Sequence, residues 1–352
     1  MSSYLRGYER GESLEKFIDG TIRPPNDFKD RINQTVDQVV RYLHKMPGYC
    51  IQEVVKSGSL GKGTSVLSDA DADMVVFFNG YNDIESLIAD KLQIIRDVRK
   101  YMCNPDPGWF SWIFPSKPEW MDSIHVIKSN EYLIKFMVYV LFHGRSEPVE
   151  VDVLPAIDVV ARHGGDMQSV YREMQNKSSE VRGHYSVCFC KEQLAMIRPK
   201  PAKVKDLIRL LKYWYKTNGL TMASYCCEVM GLYIFDEHLN RKTNFKMKTG
   251  FYKAMELFSS YRRLQITIPG IYNTDNWSSY FPETTYVLDP VNPFSDTSSH
   301  DVCSIESCAQ ATLSWLENVP MESEGCGLFS QTGAVAVVAV IVVILLLLSF
   351  IV

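Results

Sequence analysis

The chain has 352 residues, 46% of them hydrophobic and 22% charged, with a net charge of −4. That length can fill two ordinary cores, and the composition excludes a disordered chain. The slight negative charge excludes a uniformly basic nucleic-acid binder but leaves room for a local basic patch.

The opening, MSSYLRGYERGESLEKF, lacks the apolar stretch of a secretory signal. The nine cysteines are scattered, and Cys188/Cys190 and Cys226/Cys227 lack the C-x-x-C spacing of a zinc site. The thiols are read as reduced and cytosolic. Helices are expected through residue 50, where Ile32, Val36, Val39, Val40 and Leu43 keep one helical face. A strand is expected at 51–55, then the glycine-rich SGSLGKGT, then the apolar strand DMVVFF from Asp73. A helix near 83–100 leads to the aromatic-rich PDPGWFSWIFPSKPEW, read as loop. The runs YLIKFMVYVLF and VEVDVLPAIDVV, joined through HGRSEP, read as an antiparallel hairpin.

Beyond residue 161 the pattern turns helical. In KVKDLIRLLKYWYK, Leu207, Ile208, Leu211, Trp214 and Tyr215 share one face, while Lys205, Arg209, Lys212 and Lys216 share another. ASYCCEVMGLYIFDE reads as a buried helix, and an amphipathic helix is expected near 305–316. A linker of small and acidic residues then leads to AVAVVAVIVVILLLLSFIV, residues 334–352, which carry no charge. As a helix this run is about 28 Å long, close to the ~30 Å hydrocarbon core of a bilayer. It is read as a C-terminal transmembrane anchor with the rest of the chain on the cytosolic face of an intracellular membrane. The acidic flank favours the endoplasmic reticulum. The expected divisions are 1–158, 159–320, a linker at 321–333 and the anchor at 334–352.

The stretch from Ser57 to Phe78 carries the chemistry. Asp69, Asp71 and Asp73 alternate into a strand and so share one face. Carboxylates so close raise one another's pKa unless a cation lies between them, and Mg2+ takes such oxygen ligands together with phosphate oxygens. The preceding glycines let backbone N–H groups turn inward around an anion, with the Ser59 hydroxyl beside them. Two metals need a further carboxylate, and Asp152, in the apolar run VEVDVLP, supplies one. A Walker-type loop is excluded because the glycine loop leads into a strand, not a helix.

These motifs, with LEKFI, DVLPA, LIRLLKYWYK and TYVLDPVNPFSD following in order, resemble the nucleotidyltransferase superfamily and, within it, the 2′-5′-oligoadenylate synthetase family. The resemblance covers about residues 14–318. It implies an α+β, bilobal fold with a mixed β-sheet core, flanking helices and a mostly helical C-terminal lobe. It implies that ATP is polymerised into 2′-5′-linked oligoadenylates with release of pyrophosphate. Asp71, Asp73 and Asp152 would be the catalytic triad holding two Mg2+ ions, with Mn2+ as the alternative ion. Gly58, Ser59 and Lys62 would cradle the triphosphate, Arg209 and Lys212 would reach the nucleotide, and Tyr225 would flank the base. Ser224 stands where the family usually has a glutamine that contacts the nucleotide, and Asp69 is taken as a bystander. The resemblance also implies activation by double-stranded RNA, with Lys56, Arg198, Lys200 and Lys203 as contacts. Two alternatives stay open: a cGAS-like synthase of a cyclic dinucleotide, and a catalytically inactive RNA-binding scaffold.

Overall fold

The computed structural model describes residues 4–67, 72–103, 121–142 and 144–320. The expected aromatic loop, Asp69, Asp71, the linker and the apolar run 334–352 lie outside the described residues. Among the described residues no helix is long and apolar enough to cross a membrane.

The chain opens with a short helix α1 (Leu14–Phe17) and the long α2 (Asn26–Leu43). Strand β1 (Ile51–Lys56), the one-turn helix α3 (Gly58–Lys62) and strand β2 (Ala72–Phe78) follow. Next come α4 (Ile84–Cys103), β3 (Met121–Ser129), β4 (Ile134–Phe142) and β5 (Arg145–Ala156). The five strands form one mixed sheet in the order β1-β2-β5-β4-β3. β1 pairs antiparallel with β2, β4 antiparallel with β5, and β2 parallel with β5. The expected hairpin is thus β4–β5. The parallel β2–β5 pair sits mid-sheet, which explains why DMVVFF is apolar almost without alternation: six of the seven residues of β2 are buried.

Helices then dominate: α5 (Val159–Arg162), α6 (Met167–Gln175), α7 (Ser179–Cys188), α8 (Cys190–Ile197), α9 (Ala202–Thr217), α10 (Ser224–Tyr233) and α11 (Met247–Phe258). A small three-stranded sheet of β6 (Gln265–Ile266), β7 (Tyr286–Asp289) and β8 (Asn292–Asp296) precedes α12 (Val302–Leu316). That small sheet is not foreseen by the sequence reading, since its strands are only two to five residues long. Residues 1–320 form one compact unit built around two apolar cores. One gathers the five-stranded sheet with α2, α4, α6 and α7. The other is centred on α9, α10, α11 and α12 and takes in Leu14, Phe17 and Ile22 from the start of the chain.

Candidate active site

The turn after β1 is shaped by two glycines that cannot be replaced without collision. Gly58 has φ +58°, and a Cβ there would lie 1.7 Å from Asp73 Oδ2. A Cβ on Gly61 would lie 2.2 Å from the Lys56 carbonyl oxygen. The tight α3 turn is therefore pressed onto β2. The Ser57 N–H donates to the Asp73 carbonyl at 2.7 Å, and the Thr64 N–H donates to the Ser59 carbonyl at 2.8 Å. Gly63 ends the turn in the left-handed region, φ 75°.

Asp73 and Asp152 are direct partners in the parallel β2–β5 register, so their side chains leave the same face of the sheet. Asp152 is buried, and Lys135 of β4, its antiparallel partner, reaches it at 3.4 Å while pairing Glu150 at 2.5 Å. The sequence reading does not single out Lys135; its signal is a lone lysine in an apolar strand.

A cavity opens beside this pair, lined by Gly58, Ser59, Lys62, Asp73, Lys212, Ser224, Tyr225 and Glu228, with Val66. Seven of these are residues expected from the sequence. Glu228 is the addition. Lys62 Nζ lies 2.7 Å from its Oε2, and Lys212 Nζ 2.6 Å from its Oε1. The Thr64 hydroxyl donates to Oε1 at 2.9 Å. All three charged residues are buried. Burial would raise the Glu228 pKa, but the Lys212 and Lys62 ammoniums overcome it and hold the carboxyl down at about 2. Two ammoniums thus share the Glu228 carboxylate, and Asp73 is the second acid of the lining.

Lys62 Nζ also lies 4.2 Å from the centre of the Tyr225 ring, a cation–π contact. The Tyr225 hydroxyl donates to Asp289 Oδ1 at 2.9 Å, and Gln193 donates to Oδ2 at 2.9 Å. Burial pushes Asp289 up to about 6. Ser224 Oγ lies 2.7 Å from the Tyr215 hydroxyl.

Arg209 is not in the cavity wall. Its guanidinium is buried behind the loop that follows α3, where it donates to the carbonyls of Gly63 and Ser65 and pairs Asp206 at 2.6 Å. Periodicity places it on the correct face of α9, but it supports the loop from below instead of reaching across the cleft. The expected RNA contacts lie elsewhere on the surface. Lys56 pairs Asp37 at 2.7 Å, and Arg198 Nε donates to the Gly61 carbonyl at 3.2 Å, behind α3. Lys203 lies 3.7 Å from Glu15, and Lys200 lies over the Phe235 ring.

The donor set fits a hard divalent cation: two carboxylates on one sheet face, with no Cβ on Gly58 to crowd the Asp73 oxygens. Among the described residues no group of three His, Cys, Asp or Glu side chains converges, and Asp71 lies outside them.

Residues 166–331 match the family described as 2′-5′-oligoadenylate synthetase 1, domain 2, C-terminus. Rat 2′-5′-oligoadenylate synthase 2 is 26% identical over 87% of this chain and 44% of its own length. The mouse protein of that name is likewise matched over 44% of its length, so the chain spans under half of these relatives. Rat 2′-5′-oligoadenylate synthase 1A is 26% identical over 86% of this chain and 89% of its own. The structure of Escherichia coli MS115-1 CdnC with ATP covers 88% of this chain and 97% of its own, at a TM-score of 0.53 and 18% identity. That likeness is one of fold: an α+β nucleotidyltransferase-like architecture on a mixed sheet.

Proposed function

We propose that the chain is a nucleotidyltransferase that polymerises ATP into 2′-5′-linked oligoadenylates, releasing pyrophosphate. The observation that carries the transferase reading is Asp73 beside Asp152 in register, under a glycine turn, next to a cavity where Lys62 and Lys212 both meet Glu228. The similarity to named oligoadenylate synthases over 86–87% of the chain supports the product.

In this reading Asp73 and Asp152, with Asp71, hold two divalent ions, Mg2+ being the physiological choice. Bound there, the ions would lower the pKa of an attacking hydroxyl and offset charge on the phosphates. The Ser59 hydroxyl and the backbone of α3 meet the triphosphate, and Lys62 and Lys212 supply the positive charge it needs. Tyr225 flanks the base. Lys135 offsets the carboxylate charge at Asp152. Arg209 acts through the loop it supports.

The known chemistry of such a site does not choose the attacking hydroxyl, so the product decides. Labelled ATP with Mg2+, with and without duplex RNA, should give oligomers that resist a 3′-5′-specific nuclease. Asp152→Asn should lower turnover by about 10²–10³-fold, the scale of losing one transition-state electrostatic contact, while ATP still binds. A nuclease-sensitive or cyclic product would replace the reading, and near-normal turnover in Asp152→Asn would remove Asp152 from the site. Duplex RNA as activator is supported by the basic residues Lys56, Arg198, Lys200 and Lys203 around the back of α3 and the start of α9. Its activation should fall steeply with added salt, since each neutralised phosphate releases a counterion.

The uncharged apolar run 334–352 supports a membrane-spanning segment, with the catalytic body on the cytosolic face. Full-length protein should stay with membranes through alkaline carbonate and leave only in detergent.

A further inference from the structure

Between His238 and Arg263 the chain carries seven Lys and Arg against one Glu, although the net charge of the whole is −4. The described structure gathers these charges around α11. Asn240 and Arg241 occupy the left-handed region, φ 49° and 56°, and the turn they make leaves Arg241 and Lys242 exposed. α11 buries Met247, Phe251, Ala254, Met255 and Phe258. Its other stripe carries Lys248, Tyr252, Lys253 and Glu256, and Tyr252 is 38% exposed. Lys253, Glu256, His238 and Arg263 line a cleft at the end of this stripe.

The stripe begins where the described chain ends. Lys248 Nζ donates to the Val319 carbonyl, one residue before Pro320. From there 13 residues lead to the apolar run 334–352, a reach of at most about 45 Å when extended.

We propose that this surface, from Arg241 and Lys242 through Lys248, Tyr252 and Lys253 to Arg263, docks on the anionic phospholipid headgroups of the membrane that residues 334–352 enter. The inference rests on the membrane-spanning reading above. Three observations favour a lipid surface over nucleic acid. The basic groups are partly answered by acids, Arg241 by Asp236, Arg262 by Glu306 and Lys253 by Glu256. The remaining excess charge suits a weak contact made effective by a tether, which holds the surface at high local concentration. Tyr252 has the amphipathic ring that favours the headgroup layer. The chain leaves toward the apolar run from beside the same helix, where Lys248 meets the Val319 carbonyl.

The test uses the full chain reconstituted into neutral phosphatidylcholine vesicles and into vesicles that also contain phosphatidylserine. Co-flotation with the neutral vesicles reads the membrane span alone. Amide hydrogen exchange of residues 241–263 reads the docking. The expected result is flotation in both cases, with exchange in 241–263 slowed only on the anionic vesicles and restored by salt. The triple variant Lys242→Glu, Lys253→Glu, Arg263→Glu should still float on neutral vesicles. It should lose the protection at least ~100-fold, since each basic residue near such a surface is worth about fivefold or more. Turnover in detergent should be unchanged, because none of the three lines the catalytic cavity. Equal exchange on both kinds of vesicle overturns the proposal while leaving the span intact. Failure to float on neutral vesicles defeats the span, and salt-sensitive flotation on anionic vesicles would then still uphold the docking surface. Protection by duplex RNA or free inorganic phosphate but not by anionic vesicles assigns the surface to that ligand and overturns the proposal.

Discussion

At the residue scale the site turns on places where one atom more, or one charge fewer, cannot be accommodated. Gly58→Ala puts a methyl group 1.7 Å from an Asp73 oxygen at a positive φ. The turn strain costs about 1–3 kcal/mol, but the displaced carboxylate costs the chemistry, so turnover should fall at least about 100-fold with a melting temperature lowered by only a few degrees. Assays of turnover beside a thermal melt separate the two effects. Glu228 makes the opposite point. Glu228→Gln leaves the Lys62 and Lys212 ammoniums buried together, and removing one member of a buried ion pair costs about 3–5 kcal/mol. Urea unfolding should show that loss, and adding Lys212→Met should recover most of it. The sequence discloses Gly58, Ser59, Asp73 and Asp152 because their chemistry is unusual in its place. It hides Glu228, which sits in a helix that reads as wholly apolar. The signal is there nonetheless: Glu228 lies three and four residues after Tyr225 and Ser224, and a lone acid inside a buried helix needs a cation.

At the element scale, α9 is one helix with two tasks. Its apolar face fills the second core, and its basic face meets the α3 turn at two depths. Lys212 lines the cavity, while Arg209 holds the carbonyls of Gly63 and Ser65. Periodicity reveals the face of a helix but not how far each side chain travels from it, which is why Arg209 and Lys212 look alike in sequence. Arg209→Lys keeps the charge and loses the planar fork. It should lower kcat/KM for ATP by about tenfold, or ~1.4 kcal/mol, with unchanged secondary structure by circular dichroism. An equal loss in Arg209→Lys and Lys212→Arg would mean the two side chains are not distinguished as described. Most of the larger strands and helices are legible because their apolar periods are long, but the nine-residue β3, MDSIHVIKS, is not, since polar residues interrupt it. The sheet order is not, because nothing local tells β5 to enter between β2 and β4.

At the scale of the whole molecule, stability is tied to pH by buried groups outside the cavity lining. Lys91 of α4 is buried against His184 of α7, with Nζ 3.2 Å from the imidazole Nδ1 and Tyr132 stacked on the ring. Burial lowers Lys91 to about 8; burial and the Lys91 charge lower His184 to about 4. Between pH 8 and the ordinary lysine value of 10.5 the unfolded chain binds more protons than the folded one, so stability rises with pH across that window. The same sign holds for His184 between 4 and 6.5. Asp289, raised to about 6 from 3.8, opposes it, since the folded chain binds the extra proton there. Lys91→Met should abolish the gain above pH 8, read as urea midpoints at pH 8 and pH 10 for both proteins. A wild-type slope that survives the substitution would assign the effect to another group. The mixed sheet also governs when the molecule can first act. β2 emerges from the ribosome long before β5, and β3 and β4 are translated between them, so Asp152 meets Asp73 across a long sequence separation. Contacts of such long sequence separation form slowly, and Lys212 and Glu228 are translated later still. A nascent, stalled or truncated chain that stops before α10 therefore has carboxylates but no complete cavity. The cavity wall is therefore the last part of the candidate site to be made, after both strands that carry its carboxylates.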